Sequence, residues 1–187
     1  MKLLAITTAI LATLFIGTAS AGEPALAERE ARSGWVPVSG TGIHYFTSAI
    51  IHSQRPTENG YVQRSTDIIE LRGDLVGSVL YHPRSVFDFV NGTLVNTGHQ
   101  VFSGTILGSA PVLLHDDEFR FEVNLFAGET EGWVYLVDRI AGPRIRCQLR
   151  ISGVGAEPGQ DAEVAYTGRC RFSGGRRPRH NTPLELR

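Results

Sequence analysis

Four polar side chains stand among alternating apolar residues, and their types are those of proton-transfer chemistry. Asp67 shares a strand face with Tyr61, Ile69 and Leu71, and Asp88 falls between Val86 and Val90. His99 shares a face with Val101 and Leu107, and Tyr135 lies between Trp133 and Val137. A carboxylate drawn into an apolar interior has its charged form destabilised, which makes it a usable general acid. A Tyr or His beside it can orient a carbonyl or stabilise an oxyanion. Asp67, Asp88, His99 and Tyr135 are therefore the candidate catalytic residues. Tyr45, Tyr81, Phe121 and Trp133, also set among apolar neighbours, are the candidate ligand-binding residues. Such a set suits an isomerase or cyclase that encloses an apolar substrate, excludes water and shuffles one proton. The plain alternative for each polar residue is a hydrogen-bonded structural role near a sheet rim. A one-residue slip in register turns any of these faces over.

Other chemistries lack their residues. No G-x-S-x-G elbow supports a hydrolase serine, and no H-E-x-x-H supports a zinc protease. The stretch "GVGAEPG" lacks the G-x-G-x-x-G spacing, and a β-hairpin is the wrong setting for a dinucleotide. On one extended strand His44 and His52 stand about 26 Å apart, too far to share a metal. The acidic "HDDE" (115–118) can offer oxygens to a hard cation, but a solvated turn entering a strand is the preferred reading. Neither a metal nor a cofactor is expected.

The elements that would carry these residues are strands. "IHYFTSAIIH" (43–52) precedes the turn "SQRPTENG", and "YVQRSTDIIELR" (61–72) meets "GD" before "LVGSVLYH" (75–82). "SVFDFV" and "GTLVN" flank Asn91-Gly92, a hairpin signal. "HQVFSGTILG" (99–108) follows, then "EFRFEVNLFAG" with Phe119, Phe121, Val123 and Leu125 on one face, then "EGWVYLVDRI" (131–140). Short strands with turn signals every eight to twelve residues mark an antiparallel barrel or sandwich. Interior glycines at Gly77, Gly104 and Gly168 supply the bends a barrel needs. The expectation is an all-β fold, an antiparallel β-barrel of eight to nine strands.

The two cysteines sit in the last hairpin. Ile145, Cys147, Leu149 and Ile151 share one face, and Val164, Tyr166, Gly168, Cys170 and Phe172 share another. Folding about Pro158 or Gly159 brings Cys147 and Cys170 close to opposite, on the apolar side, where a disulfide is the natural product. Closing a loop of this length is worth about 3 kcal/mol in the chain-entropy model. Without a C-x-x-C, the pair reads as structural rather than redox-active.

Compartment follows from the N-terminus. "MKLLAITTAILATLFIGTASA" has one Lys, an apolar run and small residues before Ala21, the layout of a secretory signal peptide. Its apolar run is shorter than the roughly 20 residues that span a bilayer, so no membrane anchor is expected. The expected divisions are a signal peptide at 1–21, a leader at 22–42, the barrel at 43–173 and a disordered basic tail at 174–187. Loss of Lys2 with the signal takes the formal charge from −1 to −2, which gives nucleic acid no basic field to bind. A secreted chain in an oxidising compartment permits the disulfide.

The run "ELRGDLVGSVLYH", "GHQVFSGTILGS", "FRFEVNL" and "GWVYL", closing on "ISGVGAEPGQDAEVAYTGRCRF", resembles the allene oxide cyclase-like barrels, which include dirigent-type proteins. The likeness covers roughly 43–172 and rests on strand order and glycine placement. It implies a calycin-like shape, a small apolar guest inside, and in some members steering of cyclisation or coupling of a reactive intermediate. The function expected is that of a secreted isomerase or cyclase acting on an apolar metabolite intermediate in secondary metabolism. A non-catalytic, lipocalin-like carrier of a hydrophobic small molecule is the alternative. The partner expected in either case is a small apolar molecule, with a homo-oligomer also open.

Overall fold

Inward and outward side chains alternate along most of the chain, and that period of two builds the wall. The computed structural model describes residues 34–154 and 160–173. In chain order it contains β1 (Trp35–His44), a 3-10 turn (Phe46–Ser48), β2 (Ile50–Pro56), β3 (Gly60–Gly73), β4 (Leu75–Asp88) and β5 (Thr93–Ile106). There follow β6 (Val112–Asp116), β7 (Arg120–Asn124), β8 (Glu129–Leu136), β9 (Asp138–Ala141), β10 (Ile145–Val154) and β11 (Ala162–Phe172).

Eight of these strands close a ring in which each pairs antiparallel with the next along the chain. The order is β1, β3, β4, β5, β7, β8, β10 and β11, and β11 returns to β1. An eight-stranded barrel leaves an interior that side chains can fill or that can hold one small ligand. Here both occur. One end is packed solid by Val38, Leu75, Phe102, Ile106, Ile145 and the two cysteines, all buried. The other end is hollow.

Three strands lie outside the ring. β2 pairs with the first half of β3, β6 pairs with the second half of β5, and β9 pairs with β6. Long β3 and β5 thus change partners midway, because each of their neighbours on one side is broken. Asp116 secures one such junction from within. Its Oδ2 accepts from Gln100 Nε2 and from the Tyr135 N–H, each at 2.9 Å, and its Oδ1 accepts from the Glu118 N–H at 2.8 Å.

The closed end is tied by Tyr166. Its hydroxyl accepts from the Leu75 N–H at 2.7 Å and donates to the Arg72 carbonyl at 3.1 Å, joining β11 to the β3–β4 turn. That reach requires Gly40, where a Cβ would fall 2.3 Å from the Tyr166 hydroxyl. Cys147 and Cys170 face one another in register on β10 and β11 and form a disulfide, with Cα atoms 4.1 Å apart.

The expected all-β barrel is therefore present, with differences in its parts. The barrel starts at Trp35, so most of β1 lies within the stretch 22–42 expected to be a leader. Glycines at the inward positions Gly40 and Gly42 hide the apolar alternation there. The expected strand 43–52 is broken by the 3-10 turn, and 131–140 breaks at Val137 between β8 and β9. β5 runs unbroken where two strands were expected. "HDDE" is no solvated turn throughout: His115 and Asp116 belong to β6, and Asp116 is buried. The signal peptide, the basic tail and the bend at Pro158–Gly159 lie outside the described residues. Among the described residues, no helix is long and apolar enough to cross a membrane.

Candidate functional site

The hollow end encloses a cavity of about 530 Å³, within the range of small-molecule sites. Its deeper wall is apolar, with Leu71, Val79, Val134, Leu136, Leu149 and Ile151. Nearer the mouth the inward positions of β3 turn polar, as Gln63, Ser65 and Asp67 replace Ile69 and Leu71 on one face. Ser85 on β4, Asn96 and Gln100 on β5, and Thr130 on β8 continue this band. Tyr61, Phe87, Leu94 and Leu125 line the outermost level.

Within the band, His44 Nε2 lies 3.0 Å from Asp67 Oδ2. Strand pairing explains the meeting. His44 is the last residue of β1 and stands opposite Ile69, and Asp67 is two residues along the same inward face of β3. β1 ends there because the chain leaves through the 3-10 turn. Asp161 holds that turn, its Oδ1 accepting from the Thr47 N–H at 3.1 Å and the Thr47 hydroxyl at 2.6 Å. Those two bonds, the hydroxyl first, keep the Asp161 carboxyl below its ordinary range. Phe46 and Ala49 of this segment then form a lip beside His44, with the Phe46 ring 5.9 Å from the imidazole.

Tyr81 completes the group. It sits opposite Asp67 on β4, is 2 % exposed, and meets the His44 ring edge-on at 5.5 Å. Burial first, and the Asp67 charge second, push its phenol well above the ordinary value of 10, while the Asn96 amide pulls the other way. Its hydroxyl therefore stays protonated and available as a donor at any physiological pH. Phe119 lies tilted against the same ring at 4.9 Å, and Phe121 meets it edge-on at 6.0 Å.

Of the sequence candidates, Asp67, Tyr81 and Phe121 line this cavity. The others do not. Asp88 caps the β4–β5 turn, where its carboxylate accepts from the Val90 and Asn91 N–H groups and the Asn91 amide. Those bonds, Asn91's backbone foremost, lower its pKa. His99 lies on the outer wall, stacked on His82 at 4.8 Å and 6.0 Å from His115. Tyr135 and Trp133 alternate with inward Val134 and Leu136 and so point out, Trp133 being 49 % exposed. Tyr45 follows the end of β1 and donates its hydroxyl to Glu70 at 3.1 Å, outside the cavity. In each case the apolar neighbours that suggested burial lie on the outer face or in a turn.

His44 and Asn96 were missed as cavity residues. The signal was available in parity: His44 follows Val38, Gly40 and Gly42 at steps of two, and Asn96 shares parity with Leu94, Gln100 and Phe102. His52, weighed beside His44 as a ligand, sits on β2 and contacts Thr66 Oγ1 at 2.7 Å on the outer wall. Among the described residues, no group of three or more His, Cys, Asp or Glu side chains is placed to hold a metal ion.

These features define a closed up-and-down β-barrel whose cavity carries a His–Asp pair and a protonated Tyr. Set against family models, curated proteins and solved structures, the chain matches none of them.

Proposed function

We propose that this barrel is an exported isomerase or cyclase that encloses a small, largely apolar molecule and relocates one of its protons. The single observation carrying the reading is the 3.0 Å contact between His44 Nε2 and Asp67 Oδ2 on the wall of the 530 Å³ cavity. Asp67 accepts from Nε2–H and so selects the tautomer in which His44 Nδ1 is the base. The step needs no co-reactant. Nδ1 takes a proton from an acidic position of the ligand, the electron pair shifts within the ligand, and the imidazolium returns the proton at another atom or after ring closure. The Tyr81 hydroxyl donates to the oxygen on which charge develops, and the apolar inner wall excludes water. The similarity to allene oxide cyclase-like barrels supports the same class, as the disulfide and the signal-like N-terminus support export.

A second reading, carriage without chemistry, is favoured by the mainly apolar wall below the polar band. One experiment separates the two. Small molecules extracted from the exported protein, purified from its native host, are returned to the wild type, His44→Gln and Asp67→Asn and followed by mass spectrometry. The expected result is conversion to a product of unchanged mass by the wild type, slowed roughly 10²–10⁴-fold by either substitution. A bound molecule that the wild type never converts overturns catalysis in favour of carriage.

A further inference from the structure

Among the described residues, two buried oxygens in the cavity wall have no hydrogen-bond partner: Asp67 Oδ1 and Asn96 Oδ1. Both are acceptors, and both residues line the cavity. Asp67 is 5 % exposed, and its other oxygen is already engaged by His44. The two stand on β3 and β5, on either side of β4, where Tyr81 faces Asp67 in register and Ser85 faces Asn96. Neighbouring polar groups do not relieve them. Gln100, the nearest inward amide on β5 toward the closed end, gives one N–H to Asp116, and no hydrogen bond from Gln100, Ser85 or Tyr81 reaches either oxygen.

Buried polar atoms are nearly always paired, because desolvating one without compensation is costly. Two orphans of the same kind, in one cavity roomy enough for a guest, describe the guest that would satisfy them. We infer that the ligand of this barrel carries at least two hydrogen-bond donors, O–H or N–H, on an otherwise apolar body, one received by Asp67 Oδ1 and the other by Asn96 Oδ1. The inference rests on the reading of the cavity as a small-molecule site, and it is independent of whether His44 moves a proton. It also sets specificity. A site with acceptors that only a donor can satisfy rejects the analogue lacking that donor, whereas apolar contacts discriminate weakly.

A matched series tests this: naphthalene, 2-naphthol, 2,6-dihydroxynaphthalene and 2,6-dimethoxynaphthalene, titrated calorimetrically into the disulfide-bonded barrel. The diol is expected to bind best, with each hydroxyl improving affinity by about tenfold. The dimethoxy compound, which accepts but cannot donate, is expected to do no better than the parent hydrocarbon. Asn96→Leu should bring the diol down to the level of 2-naphthol and leave naphthalene unweakened. If naphthalene binds and hydroxyls add nothing, the two oxygens are served by water and the inference is overturned, while the small-molecule site stands. A donor preference that survives unchanged in Asn96→Leu also overturns the assignment. A barrel that takes none of the four sinks this inference and the binding reading together. Donor preference without any isomerisation of a native ligand leaves this inference standing and removes only catalysis.

Discussion

Asp67 and Tyr81 face each other across β3 and β4, and each determines what the other can do. The carboxylate sits beside a phenol that burial already holds protonated, and its charge reinforces that state. On its other side the same carboxylate fixes the His44 imidazole at 3.0 Å. One carboxylate thus stands between a phenol and an imidazole, on the wall of a space large enough for a small molecule.

A buried pair of this kind is often no more stabilising than well-packed apolar residues in its place, because both groups are desolvated. Replacing His44 and Asp67 together by Leu is expected to leave the empty barrel as stable as the parent, or about 1–4 kcal/mol more stable. His44→Leu alone strands a buried carboxylate and is expected to destabilise by about 3 kcal/mol. Urea denaturation of the two variants checks this. Equal destabilisation in both would show that the pair contributes packing rather than unpaired charge.

Tyr166→Phe removes the acceptor of the buried Leu75 N–H and the tie between β11 and the β3–β4 turn. An unsatisfied buried donor costs about 1–3 kcal/mol, and that loss is expected here. Ligand affinity should hold, since Tyr166 packs the closed end. A change in affinity larger than the change in stability would place Tyr166 at the site instead.

The native chain, purified without reductant, is expected to weigh two hydrogens less than its reduced form, through the Cys147–Cys170 bond. Replacing both cysteines by Ala should lower stability by about 3 kcal/mol, since the bond closes a loop of 23 residues' separation. Free thiols in the native, non-reduced protein would contradict the bond.

Acid should loosen the outer wall. Burial first, then the charges of His99 and His52, lower the His82 pKa below its ordinary 6.5, against the opposing pull of Asp67. Between the folded value and 6.5 the unfolded chain binds more protons, so stability falls as pH drops below about 6.5 and levels once folded His82 is charged. His82→Gln is expected to flatten the denaturation midpoint across that window. The effect is small, because His82 is only half-buried on the outer wall and solvent screens its neighbours' charges.

His99→Ala and Trp133→Ala are expected to leave ligand affinity unchanged, since both side chains lie on the outer wall. Titration with 2-naphthol checks this, and a loss on either substitution would relocate the binding surface.

Period-two alternation, turn residues and the placement of two cysteines were enough to specify the all-β barrel, its last disulfide-linked hairpin and the inward face of β3 that carries Asp67. These are local signals, written over a few residues at a time. Where inward positions are glycine, as at Gly40 and Gly42, the alternation goes silent, and β1 could not be read. Alternation also cannot say which of two faces is the inside. Asp88, His99, Tyr135 and Trp133 sit on apolar-looking faces that the closed ring turns outward, while His44 and Asn96 are turned in. The His44–Asp67 contact joins residues 23 apart through the pairing of β1 with β3. Only the register of a closed cylinder decides such a contact, because register sets which side chains converge across strands that the chain order keeps apart.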